Sequence, residues 1–384
     1  RDAAQRAQEM IEELNPEIDY QANLRYKEIE LTKAGLKKLV EKASELPGLW
    51  QGPDRRLELV IQALAAREFF HRNQQYIVES DKIVIVDEFT GRPMPQRTWQ
   101  AGMHQAVEAK EGISISDPSE TVARLSFQRF FRCFHKLSGM TGTAREAARE
   151  LWQIYGLPVI AIPSNRPCIR EQWPDQFFLT ETAKWVAMAD EVERLHTTGR
   201  PLLIGTRSVQ ASEHLWRLLT ARGLEPKVLN ATRLQEEAET IAVAGERGRI
   251  TIATNMAGRG TDIKLGRGVA PLGGLHVIAS EWHESGRVDR QLSGRSGRQG
   301  DPGSAQAFVS LDDELVRRYL SAPSRRILDL AWHRKLPGRK RMAVAAFNLA
   351  QSKAQAVALK QRKNILRSDL WLEQALSFAG GDTV

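Results

Sequence analysis

The stretch Thr251-Ile-Ala-Thr-Asn-Met-Ala-Gly-Arg-Gly-Thr-Asp-Ile263 starts as a short apolar strand and runs into a glycine-rich turn. In an α/β sheet, ligands bind outside the carboxyl ends of the strands. We therefore expect Arg259 and Asp262, which lie in this turn, to contact a nucleotide or to relay its state. A structural turn with an Arg–Asp surface pair is the alternative interpretation.

Further strand patterns lie on both sides of this stretch. From about residue 158, short apolar runs alternate with helical patterns, and the runs are Val159–Ile162, Leu202–Ile204, Lys227–Leu229, Ile250–Ala253, Leu275–Ile278 and Ala305–Val309. Such alternation indicates a parallel sheet that is covered by helices on both faces. Residues 156–318 are therefore predicted to form one RecA-like α/β domain, with α+β and helical segments flanking it.

The flanking segments carry weaker patterns. Leu31–Val40 has helical spacing with Thr32 as its N-cap, and Leu57–Phe70 repeats apolar residues at every third or fourth position. A hairpin is predicted from Tyr76–Val78 to Ile83–Val86. After about residue 314 the chain becomes basic, and residues 343–376 predict one long helix or two.

Composition limits the classes of protein to consider. The net charge is +8, which suits nucleic acid, anionic lipid or an acidic partner and does not choose among them. The apolar runs are far shorter than the ~20 residues that a membrane-spanning helix needs. Cys133 and Cys168 lack metal-site or redox spacing and are expected to be buried thiols. Four aromatic residues with helical spacing predict a core-facing helix: Phe127, Phe130, Phe131 and Phe134.

The most specific chemical signal is Gln291-Leu-Ser-Gly-Arg-Ser-Gly-Arg-Gln-Gly-Asp301. Arginine is always charged, and its planar guanidinium matches phosphate oxygens. Arg295 and Arg298 are three residues apart, so on one helical turn they would point the same way. They are therefore candidate arginine fingers, which neutralise the γ-phosphate during phosphoryl transfer. The alternative interpretation is a glycine-rich loop whose arginines are solvated and have no catalytic role.

The order of the motifs along the chain carries a family resemblance. Ser138–Ala144 reads SGMTGTA, Leu203–Ser208 reads LIGTRS, and the two stretches quoted above follow. This order is that of motifs III to VI of the superfamily 2 helicases. The wording GMTGTA, ATNMAGRGTDI, GGLHVIASEWHES and QLSGRSGRQGD resembles the SecA family, as do VDEFTGR at 86–92 and HQAVEAKEG at 104–112. The resemblance covers roughly residues 20–318.

The resemblance implies a division into domains. Residues 1–92 would be part of a preprotein cross-linking domain, and residues 93–155 the C-terminal part of a first nucleotide-binding domain. Residues 156–318 would be the second nucleotide-binding domain, and residues 319–384 a region like the helical scaffold.

The resemblance also implies roles for single residues. Arg295 and Arg298 would be the catalytic arginine fingers, and Gln291 would couple nucleotide state to domain closure. Nucleotide contacts would come from Gly258, Arg259, Gly260 and Asp262, together with Gln291. The chain departs from the family pattern at Gly286 and Ser293, where the family usually has arginine. The departures remove two basic groups beside the arginine fingers, which are themselves present.

No G-x-x-x-x-G-K-[ST] motif occurs in the sequence, so a phosphate-binding P-loop is missing from it. Val86-Asp-Glu88 imitates the end of a Walker B strand, but we reject that interpretation because in SecA-like chains the VDEFTGR segment joins two domains. The resemblance implies ATP and Mg²⁺ as cofactors, with the Mg²⁺ ligands upstream of Arg1 and no metal ligands here. The chain alone is therefore expected to hydrolyse ATP poorly.

The resemblance implies a motor ATPase that moves preproteins across the bacterial cytoplasmic membrane. Its partners would be an unfolded preprotein, a SecYEG-type channel, an anionic membrane surface and, as an open alternative, a second copy of itself. It would be cytoplasmic and peripheral on the inner face of the membrane, and nucleic acid is not expected as a partner. The alternatives are a superfamily 2 nucleic-acid helicase, an accessory SecA paralogue with a specialised substrate, and a non-catalytic protein with a decayed motor.

Overall fold

The computed structural model describes residues 2–24, 27–44, 46, 48–87, 93–117, 125–229, 237–254 and 262–378. Within these residues no helix is both long enough and apolar enough to cross a membrane.

The N-terminal part combines helices with a two-stranded sheet. Its elements are α1 (Asp2–Ile11), β1 (Tyr20–Asn23), β2 (Glu28–Leu31), α2 (Lys33–Ala43) and α3 (Pro53–Phe69). The predicted N-cap of α2 is confirmed, because the Thr32 side chain accepts a hydrogen bond from the Gly35 amide. Strands β1 and β2 pair antiparallel, and apolar residues of α1, α2 and α3 form one core.

The predicted hairpin is also confirmed. It consists of β3 (Tyr76–Glu79) and β4 (Lys82–Val86), and it is extended by β5 (Pro93–Met94) before α4 (Met103–Glu111). All three strands pair antiparallel. The strand before Asp87 therefore does not lie in a parallel nucleotide-binding sheet, which supports our rejection of the Walker B interpretation.

The next part, residues 125–170, corrects two predictions. It contains α5 (Phe127–Arg132) and α6 (Ala148–Tyr155), but the strand predicted at Val159–Ile162 is absent from this described range. Ile160 and Ile162 are 80% and 85% exposed. The predicted core face is wrong as well, since the phenylalanines of α5 and Phe134, which follows it, are all exposed: Phe127, Phe130, Phe131 and Phe134. These rings contact one another, one pair stacked and two pairs edge-on, instead of packing into a core.

The α/β domain is built on a parallel sheet, as predicted. Its elements are β6 (Glu171–Gln172), β7 (Gln176–Phe178), α7 (Glu181–His196), β8 (Leu202–Thr206), α8 (Val209–Ala221), β9 (Lys227–Leu229), α9 (Glu237–Ala242), β10 (Ile250–Thr254), β11 (Leu275–Ala279), α10 (Gly286–Ser293) and β12 (Gly303–Ser310). The strand order is β6-β12-β11-β8-β10-β9, and β7 also pairs with β12. Every pairing in this sheet is parallel.

Both faces of this sheet are buried because successive side chains of a strand point to opposite faces. Leu202 and Ile204 of β8 pack with α7 and α8 on one face. Leu203, between them, packs on the other face with Leu292 of α10 and Ile241 of α9. The RecA-like α/β class predicted from the strand pattern is therefore confirmed.

The C-terminal part is helical. It consists of α11 (Glu314–Tyr319), α12 (Ala322–His333) and α13 (Arg339–Phe378). Of the two alternatives that the sequence left open for residues 343–376, one continuous helix is correct. Helix α13 is anchored by Phe347, whose ring makes edge contacts with Phe177 and Trp282 of the α/β domain.

Candidate functional site

The arginine turn lies directly after α10. That helix ends at Ser293, so Arg295 and Arg298 are not on a helical turn as the sequence spacing suggested. The Arg295 side chain is buried, whereas Arg298 remains one-third exposed. The chain turns at Gly297, where φ is +64°, and an added Cβ there would lie 2.5 Å from Cβ of Arg170. Glycine is needed at this position because only it combines positive φ with such close packing.

The turn lies against the start of β12. Ser296 Oγ donates to the Ser304 carbonyl at 3.2 Å, and an added Cβ at Gly303 would lie 2.7 Å from the Gly297 amide. Helix α10 has thus carried the chain from the carboxyl end of β11 back to the amino end of β12. The arginine turn is therefore not at the carboxyl edge of the sheet.

Asp262 is part of this turn's environment. Arg298 Nη1 donates to Asp262 Oδ1 at 3.0 Å, and Gln299 Nε2 donates to Asp262 Oδ2 at 3.1 Å. The Arg298 guanidinium also donates from Nε to the Gly294 carbonyl at 3.0 Å. Two of the predicted site residues, Asp262 and Arg298, are thus brought together although 36 residues separate them. Gly258, Arg259 and Gly260 lie outside the described residues.

Helix α10 faces the segment 141–146, which contains the last four residues of the GMTGTA motif. Gln291 Nε2 lies 3.5 Å from Thr143 Oγ1, at the long end of hydrogen-bond distances. One residue earlier, Arg290 forms an ion pair with Glu146. The structure therefore joins two motifs that are almost 150 residues apart, and it places Gln291 at their contact.

Among the described residues, ion pairs lie beyond the carboxyl ends of β7, β8, β11 and β12. Lys184 Nζ donates to Asp313 Oδ1 at 2.6 Å, and both side chains are 1% exposed. Arg207, which follows β8, lies 3.7 Å from Glu281 and 3.3 Å from a carboxylate oxygen of Glu314. Burial raises the pKa of Glu281 to about 7, although Arg207 acts in the opposite direction. The turn after β10, where the sequence predicts nucleotide contacts, lies mostly outside the described residues, so that prediction stays a prediction.

The sequence analysis missed the polar cluster at the start of α10. Asp289 Oδ1 accepts hydrogen bonds from the His283 amide at 2.9 Å and from the His283 ring at 2.7 Å. Gln351 of α13 donates from Nε2 to Asp289 Oδ2 at 2.7 Å and to the His283 carbonyl at 2.9 Å. No sequence pattern marks Gln351, because it is one polar residue among many on a long helix.

The two departures from the family pattern lie on α10. Ser293 turns its hydroxyl back to the Arg290 carbonyl at 3.3 Å, as a helix-ending serine commonly does. An added Cβ at Gly286 would lie 3.1 Å from Oε1 of Gln351, so the missing side chain leaves just enough space for that amide.

A shallow cavity of about 380 Å³ opens beside the arginine turn. It is lined by polar and small residues: Ser164, Asn165, Arg166, Cys168, Gly297, Gln299 and Gly300. Cys168 is exposed there, as is Cys133 directly after α5, so the prediction of two buried thiols is wrong.

The chemistry of these residues suits a polyphosphate. The turn after α10 carries two guanidinium groups and the Gln299 amide, with the Asp262 carboxylate beside them, and arginine matches phosphate oxygens geometrically. Within the described ranges no group of three His, Cys, Asp or Glu side chains is arranged to hold a metal ion.

Comparison with known proteins identifies similar sequences over almost the whole chain. The family model of the SecA preprotein cross-linking domain matches residues 1–108, and that of the SecA P-loop domain matches residues 167–271 and 267–332. The protein translocase subunit SecA 2 of Chlorobium chlorochromatii is 47% identical over 99% of this chain and 57% of its own length.

Two further relatives give the same result. SecA 2 of Magnetococcus marinus is 44% identical over 97% of this chain and 57% of its own length. Protein translocase subunit SecA of Halothermothrix orenii is 45% identical over 91% of this chain and 42% of its own length. The chain spans about half the length of the curated relatives it matches.

Proposed function

This chain belongs to the SecA family, and from that premise we propose that it is part of a motor ATPase that moves preproteins across the bacterial cytoplasmic membrane through a SecYEG-type channel. In this proposal the chain supplies the arginine-finger half of the ATP site. The observation that carries it is the arrangement of α10, whose following turn holds Arg298 against Asp262 while Gln291 faces Thr143.

Each residue has a proposed role at the site. Arg295 and Arg298 stabilise the negative charge that develops on the γ-phosphate, and Asp262 orients Arg298 until the phosphate arrives. Gln291 lies at the contact between α10 and segment 141–146, so it senses how these two parts are placed. Gly258, Arg259 and Gly260 complete the nucleotide contacts by the family's pattern.

ATP and Mg²⁺ together supply the phosphoryl group and the cation that neutralises its leaving oxygens. Because no P-loop motif occurs in these 384 residues, we propose that the chain alone hydrolyses ATP poorly. What its own residues contribute is positive charge that is oriented before the reaction begins.

The domain division is part of the proposal. Residues 1–92 form part of the preprotein cross-linking domain, residues 93–155 the end of the first nucleotide-binding domain, residues 156–318 the second, and residues 319–384 the scaffold. The exposed phenylalanines of α5 support this division, because an exposed apolar patch of that kind marks a surface that packs against another part of a protein. We propose that this face packs against the P-loop-bearing half of the first nucleotide-binding domain.

The membrane partner is supported by the corner between α12 and α13. Residues 321–344 contain seven basic side chains and one acidic side chain. Their net charge is therefore +6, compared with +8 for the whole chain. Ile327 and Leu330 are exposed on α12 beside these charges. Basic residues next to exposed aliphatic ones suit an anionic lipid surface. We therefore propose peripheral association with the inner face of the membrane, and leave self-association as an open part of the proposal.

The nucleic-acid helicase is the second candidate, because its motif order is the same. It is less well supported, since a nucleic-acid motor needs a continuous basic track with stacking aromatics, whereas the basic residues of this sequence are spread along the chain and are densest in residues 321–344. Comparing the ATPase rate of the longer protein with RNA, single-stranded DNA, and anionic liposomes plus a preprotein separates the two. Stimulation by nucleic acid alone would favour the helicase.

The test of the arginine roles uses a longer protein that contains a P-loop. We expect Arg295→Ala and Arg298→Ala to lower turnover by roughly 10³-fold or more, while nucleotide binding changes little, because arginine fingers act on the transition state. Arg217→Ala, on the exposed surface of α8, is the matched control. Wild-type turnover in both variants would refute the proposed site.

A further inference from the structure

Gln351 connects the long helix α13 to the helix that carries the arginine turn. Its side-chain amide has two N–H groups, and Nε2 contacts two acceptors, the Asp289 carboxylate at 2.7 Å and the His283 carbonyl at 2.9 Å. Because both neighbours are acceptors, only the nitrogen side of the amide fits there. Both donors of Gln351 are thus used on the first turn of α10 and the segment just before it.

The acceptor side of this contact is rigid. Asp289 accepts from the His283 amide and ring as well as from Gln351, so three donors hold its carboxylate. His283 is 7% exposed. Trp282, the residue before it, donates to Asp175 at 3.2 Å and packs on Phe347 of α13. The beginning of α10 is therefore fixed to α13 by polar and apolar contacts together.

The other contacts of α10 lie on different neighbours. Two residues after Asp289, Gln291 faces Thr143, and Arg290 pairs with Glu146. Below the helix, Leu292 rests on Gly205 of β8. Gln351 is thus a polar contact by which α13 holds the start of α10, beside the hydrogen bonds that His283 makes to the same carboxylate.

We propose that Gln351 is a positioning residue for the ATPase reaction: it sets the direction of α10 from the long helix and thereby the placement of Gln291 and of the arginine turn. This inference rests on the proposed function, because it assigns a task to Gln351 only if the arginine turn acts on nucleotide. Any movement of α13 relative to the sheet is transmitted to α10 through the hydrogen bond from Gln351 to the Asp289 carboxylate. Hydrogen bonds to charged groups are stronger than those between neutral groups.

The first test needs no catalysis. In the 384-residue chain, Gln351→Ala removes both donors, and we expect the amides of residues 286–293 to exchange hydrogen on the order of tenfold faster, the equivalent of one hydrogen bond to a charged group. Gln351→Glu keeps the shape but places an acceptor against two acceptors, so its effect is larger. Gln355→Ala, one turn further on the same helix and exposed, is the matched control. Unchanged exchange in both Gln351 variants would overturn the proposal.

The second test separates positioning from stability. In the longer protein that contains a P-loop, we expect Gln351→Ala to lower kcat about tenfold with KM for ATP within twofold of wild type. In the double variant Asp289→Asn/Gln351→Glu, the amide at 289 can donate to the carboxylate at 351. We therefore expect this double variant to recover part of the kcat that Gln351→Glu loses.

The outcomes distinguish the inference from the function on which it rests. Full turnover in Gln351→Ala, while Arg298→Ala is inactive, would show that Gln351 is only structural and would overturn the inference alone. Full turnover in Arg298→Ala as well would refute the proposed site, and the positioning role would fail with it.

Discussion

Replacing Gly205 with alanine tests whether α10 rests directly on strand β8. Gly205 is the fourth residue of β8, and a methyl group there would overlap both Cδ atoms of Leu292, one of them at 2.8 Å. Leu292 is buried in the core between the sheet and α10, so its side chain has little room to move aside. The added methyl group must therefore push α10 away from the sheet.

The magnitude follows from two opposing effects. Overpacking of this kind destabilises by about 1–3 kcal/mol. Exchanging glycine for alanine also restricts the unfolded chain, which stabilises by about 0.4–1 kcal/mol where the backbone conformation allows both residues. Gly205 does not have positive φ, so this gain applies. We expect Gly205→Ala to destabilise the folded chain by about 1 kcal/mol.

The sign should reverse when the leucine is removed. Leu292→Ala alone is expected to lower the free energy of unfolding by about 2–4 kcal/mol, because it leaves a cavity above β8. In that background the alanine at 205 overlaps nothing and fills part of the cavity. There Gly205→Ala should stabilise by about 1 kcal/mol, so the coupling energy of the double-mutant cycle is about 2 kcal/mol.

The assay is urea unfolding of the four proteins, with hydrogen exchange of β8 and β11 assigning the change to this sheet. Gly139→Ala is the control, since an added Cβ at Gly139 meets no atom within 4 Å. If Gly205→Ala changes stability with the same sign and size in both backgrounds, α10 does not rest on β8 in the way described.

Two further predictions concern the charges at the carboxyl edge. Asp313→Asn leaves the buried Lys184 ammonium without its carboxylate and should lower the free energy of unfolding by about 3–5 kcal/mol in urea titrations; a loss below about 1 kcal/mol would mean that water reaches the pair. Because the pKa of Glu281 is raised to about 7, the folded chain keeps a proton that the unfolded chain loses near pH 4.5, and this group's stabilising effect disappears as pH rises from about 4.5 to 7. We therefore expect the difference in melting temperature between Glu281→Gln and wild type to increase from pH 5 to pH 8, by the equivalent of about 2–3 kcal/mol. If the melting temperatures of the two proteins change in parallel with pH, the raised pKa is contradicted.

The sequence predicted the sheet where apolar runs were long enough to be buried on both faces. Ile250–Thr254 and Leu275–Ala279 are such runs, and both became strands in the interior of the sheet. Strand β6 was missed because Glu171 and Gln172 are polar and form an edge only two residues long. The run at Val159–Ile162 was mistaken for a strand because apolar content does not tell whether a neighbouring strand is available for pairing.

The sequence named residues for the candidate site but could not predict how the described ones meet. The motif spacing identified Arg298 and Asp262, yet the rule that ligands bind at carboxyl ends of strands does not describe where they meet. Helix α10 returns the chain along the sheet before the turn begins, and only the fold reveals its length and direction. Gln351 could not be predicted, since its role depends on a contact with Asp289, 62 residues earlier in the chain.

Helix α13 has a mechanical consequence that its length alone determines. Forty residues at 1.5 Å per residue make a rod of about 60 Å. Phe347 and Gln351 pin it near one end, and a bidentate pair joins Arg362 to Glu150 of α6 about 16 Å further along. A tilt of about 5° around Gln351 would displace Arg362 by about 1.5 Å and the far end of the rod by about 3.5 Å. A rigid helix held in this way would act as a lever with unequal arms, so a small tilt at α10 would first strain the Arg362–Glu150 pair and would be largest at the far end of the helix.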